Sequence, residues 1–201
     1  MIRVSQGFYR FVRIPATVVM RFLHPVVRIS GRENLPVGPC VLCGNHRALT
    51  DPIWIVLAGR FCRVPRTMAK KELIDTPVIG SLVQVVGAFP VDRDHNDIGA
   101  IKTALRVLRD GDKLMIFPEG TRVRRGKVSQ PHSGAMLIAS RAGVPVIPVY
   151  TSLNRRFWAP LEIRFGEPIL PNPDGRKLTQ EELDNKTAQM MKMIYAMGQK
   201  Q

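Results

Sequence analysis

Short apolar runs alternate along this chain with stretches of helical periodicity, and that alternation restricts the fold more than any other feature. Runs of strand character fall at 40–43, 64–68, 87–91, 113–117, 144–150 and 161–165. Between them, Ile98, Ile101, Leu105 and Leu108 recur at three- and four-residue spacing, with Asn96 or Asp97 as the cap and Gly111 past the end. The stretch 133–142 repeats that pattern before Gly143, and Thr179 with Glu182 reads as a capping box for a last helix through Met190, Met193 and Ile194. The alternation predicts an α/β fold: a single domain with a mixed, mostly parallel sheet flanked by helices.

At 201 residues there is room for one such domain, and 45% hydrophobic with 23% charged residues is the balance of a chain that folds. A turn-rich stretch at 31–39 divides it into a basic segment, 1–32, and the body, 33–201. The basic segment carries Arg3, Arg10, Arg13, Arg21, Arg28 and Arg32 without a single acid, interleaved with Phe8, Tyr9, Phe11, Val18, Val19, Phe22 and Leu23. That mixture predicts an amphipathic helix lying at a membrane interface, apolar side inward and guanidinium groups among phosphates; the alternative is an ordinary packed helix.

The formal charge of +14 favours an anionic partner. Nucleic acid and phospholipid headgroups both qualify, but with two Trp and three Tyr in the chain, and no aromatics within the basic loops, a base-stacking platform is not expected. The expected partner is an anionic membrane surface. No apolar run reaches the roughly 18 to 20 residues that span a bilayer, because Arg21, His24 and Pro25 interrupt one candidate and Gln84 another. The three cysteines are an odd set in a chain this large, which suggests a reduced setting and a peripheral or monotopic protein on the cytoplasmic face of the cell membrane. Cys40 and Cys43 fall inside a strand-like run, and no second pair completes a zinc site, so both read as core and no metal is expected.

Three clusters can carry chemistry. The first, Gly44-Asn45-His46 through Asp51-Pro52, follows one strand and precedes an apolar helical run at 53–57. An imidazole accepts a proton near neutral pH, and a carboxylate on its other nitrogen fixes the tautomer and stabilises the imidazolium, so His46 and Asp51 could form a base pair. Asp before Pro is also how a helix starts, with Asp51 as cap and Pro52 first in the helix. The second cluster, Phe117-Pro118-Glu119-Gly120-Thr121-Arg122, ends another strand, where open α/β sheets bind ligands. Arg122 offers a forked donor for phosphate, and Glu119 could accept hydrogen bonds from a polyol or an arginine. The third places Arg93 between acids after the strand at 87–91, with Lys70 and Lys71 as further cations. His132 reads either as a second titrating group or as a plain loop histidine. The Gly-x-Ser-x-Gly elbow and the Gly-rich phosphate loop are both missing, and a thiol buried like Cys43 would be a poor nucleophile.

In order, Asn45-His46-x4-Asp51, the run 87–93, the run 117–122 and Gly143-Val-Pro-Val-Ile-Pro-Val149 resemble the four blocks of the glycerolipid acyltransferase family, over about 31–168. The small size is similar to that of its bacterial 1-acyl-glycerol-3-phosphate acyltransferases. The resemblance implies direct attack: His46 takes the proton from the sn-2 hydroxyl of a lysophosphatidic acid, Asp51 orients His46, and the oxygen attacks an acyl thioester. It implies no acyl-enzyme and no cofactor, with acyl-CoA or acyl carrier protein as co-substrate and phosphatidic acid as product. It also implies that Lys70, Arg93, Glu119, Gly120, Thr121 and Arg122 form the acceptor site. The same chemistry on another lysophospholipid or a lyso-aminolipid, and a non-catalytic module binding anionic membrane or nucleic acid, are the alternatives.

Overall fold

The structure is a computed structural model describing residues 6–76, 87–91, 97–121, 130–152 and 158–199, without the side chains of 6–10, 12, 71 and 73. Seven strands form one sheet: β1 (Val27–Ser30), β2 (Val41–Gly44), β3 (Arg66–Lys70), β4 (Ala88–Val91), β5 (Leu114–Ile116), β6 (Val146–Thr151) and β7 (Leu161–Phe165), in the spatial order β1-β7-β6-β2-β5-β3-β4. From β6 through β4 all neighbours are parallel, whereas β7 runs antiparallel to β6 and carries β1 parallel to itself at the edge. The sheet is thus mixed and mostly parallel, as the alternation predicts.

Period-two alternation feeds two apolar layers. Val41 and Cys43 of β2, Leu114 of β5 and Val146 of β6 face a layer built with helices α4 (Ile98–Arg109), α5 (Gly134–Ala142) and α6 (Gln180–Met197). Leu42, Met115, Ile147 and all three inward residues of β7 face the other, closed by α1 (Gln6–Leu23) and α2 (Asp51–Gly59). Each fully buried aliphatic side chain among them contributes about 1.5–3 kcal/mol relative to exposure. Cys40 and Cys43 are both fully buried in this core.

Local signals account for the boundaries. Asp97 caps α4, its Oδ1 accepting the Ala100 N–H at 2.8 Å. Thr179 and Glu182 form the reciprocal capping box of α6. The third strand starts two residues later than the apolar run at 64–68, because Pro65 has no N–H; Arg66 makes the first ladder bond, to the Lys113 carbonyl at 2.8 Å. A short helix, α3 (Lys71–Ile74), follows it. The edge strand β1 was not foreseen: the basic segment divides into α1 and a Val-Arg-Ile-Ser strand whose residues alternate half-buried and exposed. No helix among the described residues is long and apolar enough to cross a membrane.

Candidate active site

Parallel strands end on the same edge of a sheet, so the C-terminal ends of β2, β5 and β6 lie together there. Gly44, the last residue of the central strand, permits a close approach: a Cβ on it would lie 3.1 Å from Phe117 Cε1 and 3.2 Å from Ile55 Cδ1. Phe117 can therefore reach the β2 loop, where its ring stacks on the His46 imidazole with centroids 4.3 Å apart. Next to Gly44, the fully buried Asn45 extends the β2–β6 pairing with its side chain. Its Nδ2 donates to the Thr151 carbonyl at 2.9 Å and its Oδ1 accepts the Thr151 N–H at 2.8 Å. The loop carrying His46 is thereby tied to both neighbouring strands.

Asp51 is fully buried and opens α2. Thr50 is the capping residue, so the reading of Asp51 as cap shifts by one position. Its Oδ2 turns back into the loop and accepts the N–H groups of Arg47 at 2.6 Å and Ala48 at 2.7 Å. The same oxygen lies 3.2 Å from His46 Nδ1. A carboxylate held by amide donors is an acceptor only, so Nδ1 carries the proton and Nε2 is left with its lone pair. The His46 side chain retains 16% of its exposure.

Glu119 is 4% exposed. Its Oε2 accepts the His46 N–H at 2.7 Å, and its Oε1 accepts the Tyr195 hydroxyl from α6. The resemblance implied Glu119 in the acceptor site; in the structure each of its carboxylate oxygens accepts from a protein donor, as a buried carboxylate requires. Arg47 also interacts with the Tyr195 hydroxyl, bringing a cation to this cluster. Gly120 turns the chain at φ +69°, and a Cβ there would lie 3.0 Å from the ring of His132. His132 donates its backbone N–H to the Pro118 carbonyl at 2.8 Å, which holds it beside the turn, and the residue is exposed. Thr121 is exposed beside it and donates its N–H to the Glu119 carbonyl at 2.7 Å.

Lys70 ends β3 on the same sheet edge, with its Nζ 3.2 Å from Glu72 Oε1 in an exposed ion pair. Arg93 and Arg122, the two arginines expected to hold phosphate, lie outside the described residues. Sequence reasoning gave no separate role to three contributors. Asn45 and Arg47 adjoin His46 and had a signal in their position, whereas Tyr195 had none.

The strand-end loops that carry this imidazole and carboxylate fall within the span matched by a family comparison. The model of the family described as "Acyltransferase" matches residues 26–152, from β1 through β6, taking in both loops of the site. This chain belongs to the acyltransferase family. It is 33% identical over 142 residues to the 1-acyl-sn-glycerol-3-phosphate acyltransferase of Bacillus subtilis, covering 70% of this chain and 69% of that one. To the chloroplastic 1-acyl-sn-glycerol-3-phosphate acyltransferase BAT2 of Brassica napus it is 31% identical over 125 residues, which is 60% of this chain but 36% of the longer plant protein. The fold is also similar to that of the crystal structure of the 1-acyl-sn-glycerophosphate (LPA) acyltransferase PlsC of Thermotoga maritima. That similarity has a TM-score of 0.71 and 24% identity, covering 96% of this chain and 78% of that one. The matched span stops before α6, so Tyr195 lies beyond it.

Proposed function

We propose that this chain transfers a fatty acyl group from a thioester of coenzyme A or acyl carrier protein to the sn-2 hydroxyl of 1-acyl-glycerol-3-phosphate, giving phosphatidic acid. The observation that carries this reading is the 3.2 Å contact of His46 Nδ1 with a buried Asp51 at the mouth of the central strand. Nε2 takes the hydroxyl proton as the oxygen attacks the thioester carbonyl; the C–S bond breaks and the thiolate leaves with the proton returned by the imidazolium. Asp51 stabilises the charged ring in between. The acyl group passes directly to the alcohol, without an acyl-enzyme and without a metal in the scheme.

Arg93 and Arg122, with Lys70 released from Glu72, hold the acceptor phosphate; several cations suit a monoester carrying close to two negative charges. Gly120 and Thr121 supply the turn that presents Arg122. Glu119 serves the acceptor site indirectly, by holding the His46 loop. The likeness to named 1-acyl-sn-glycerol-3-phosphate acyltransferases supports this choice of acceptor. Phe11, Ile14, Val18, Val19 and Phe22 are all exposed on α1, and these apolar side chains support docking on an anionic membrane surface, which we place at the cytoplasmic face of the cell membrane.

Mass spectrometry of lipid products tests the reading. The purified protein, given a mixed panel of lyso-lipids with acyl-CoA and acyl carrier protein thioesters, should form phosphatidic acid as the dominant product. Acylation of a different lyso-lipid in preference would replace the acceptor, and no acylated product would reject the activity. Arg122→Ala should weaken use of the phosphate-bearing acceptor selectively.

A further inference from the structure

A cavity of about 180 Å³ opens between α1, the C-terminal end of α2 and the sheet edge formed by β1 and β7. Arg13 and Arg21 line it from α1, Arg32 from the turn after β1, and Arg60 from the residue after α2. No carboxylate lines it among the described residues, and its apolar wall includes Ile29, Leu57 and Ile163.

Two of the four cations have an ordinary backbone partner, the first being Arg21, whose Nη1 donates to the Pro25 carbonyl at 3.3 Å. Arg32 Nε donates to the Ala58 carbonyl at 2.7 Å and so satisfies the C-terminal end of α2, where a cation is favoured. That does not explain four guanidinium groups from three separate elements around one space. The arrangement opposes itself: burial first, and then the charge of Arg60, lower the proton affinity of Arg32. An anion in the cavity would relieve that repulsion.

The position of the α1 residues adds a second argument. Arg13, Thr17 and Arg21 recur every four residues and form one stripe. Met20, beside that stripe, is buried against the body, while Phe11, Ile14, Val18 and Phe22 are exposed on the other side. The arginines thus lie on the seam between the face packed on the protein and the apolar face open to the surroundings. At a bilayer surface that seam is the level of the headgroups.

We propose that this cavity binds a single phosphate group, carried by an anionic phospholipid headgroup or by free phosphate, at a site separate from the catalytic loop. Forked guanidinium donors converging from several directions match the oxygens of such a group. Ala58, at the cavity, lies seven residues along α2 from Asp51, about 10 Å of helix rise. The site goes beyond the acyl-transfer reading and does not depend on it, since binding here involves neither His46 nor a thioester.

Trp54 lines the cavity and Trp158 is the other tryptophan of the chain, so Trp158→Phe leaves a local fluorescent reporter. In that background, inorganic phosphate and a soluble short-chain phosphatidylglycerol are titrated at constant ionic strength. A saturable change at Trp54 is expected with at least one, and the ligand that saturates at lower concentration identifies the source. Arg13→Gln/Arg60→Gln should weaken it about tenfold or more, the scale of one charge-assisted bond. The control, Arg106→Gln/Arg109→Gln, removes the same charge from exposed positions of α4 and should leave it within about twofold. Neither Arg13 nor Arg60 donates a side-chain hydrogen bond to a described residue, and a circular-dichroism melt checks that the variant folds. Saturation by neither ligand, or equal weakening in both double variants, would overturn the proposal.

Discussion

The Tyr195 hydroxyl donates to one oxygen of Glu119 while the other oxygen accepts the backbone N–H of His46, so the last helix holds the loop that carries the imidazole. Replacing Tyr195 with Phe removes one hydrogen bond from a buried carboxylate. Urea unfolding should show a loss of about 1–3 kcal/mol. Turnover should fall through kcat more than through KM, because the loop positions the base and not the acceptor.

The same tyrosine gives the alkaline limb of stability a definite sign. Burial, and after it the Glu119 carboxylate, raise its pKa above the ordinary value of 10.0. A raised folded pKa means that the stabilisation is complete below about pH 10 and is lost as pH climbs towards the folded value. Tyr195→Phe should flatten that part of a stability-versus-pH curve; an unchanged slope would detach Tyr195 from Glu119.

Asp51 accepts two loop amides as well as facing His46 Nδ1, so Asp51→Asn disturbs both fold and base. The neutral amide oxygen of Asn is a weaker acceptor for those N–H groups than the carboxylate, and the loop should loosen by about 1 kcal/mol in chemical denaturation. The initial rate of acyl transfer should drop about 100-fold or more, the scale of lost base catalysis.

Much of this was legible locally. His46 and Asp51 are five residues apart between a strand and a helix, and the two caps at Asp97 and Thr179 follow from neighbours within a turn. The rest is non-local. Tyr195 and Glu119 are 76 residues apart, and only the packing of α6 on the sheet brings them together. An acidic side chain at a strand end looks the same in sequence whether or not a tyrosine reaches it, which is why the bond of Glu119 to Tyr195 was not foreseen. The strand β1 was missed because four residues of alternating character beside a basic helix acquire a sheet partner only when β7 turns back antiparallel to β6.

The three thiols should separate by reactivity. Burial pushes Cys40 up to about 11 and Cys43 higher still, whereas Cys62 is exposed. A disulfide-exchange reagent near pH 8 should label one thiol per folded chain rapidly and the other two only on unfolding. Fast labelling of three would place Cys40 and Cys43 outside the core.

Gly120 combines a left-handed backbone with a ring 3.0 Å from where a Cβ would be. Gly120→Ala should cost about 1 kcal/mol or more in thermal or chemical unfolding. An unchanged midpoint would mean that the turn and His132 readjust freely.

The role of His46 is tested most directly by the initial rate of phosphatidic acid formation by His46→Ala, with lysophosphatidic acid and acyl thioester saturating. The loss should reach about 100- to 10,000-fold, the range that base catalysis supplies, while the variant keeps the wild-type circular-dichroism spectrum. Turnover within a few-fold of wild type by a folded His46→Ala would contradict the mechanism.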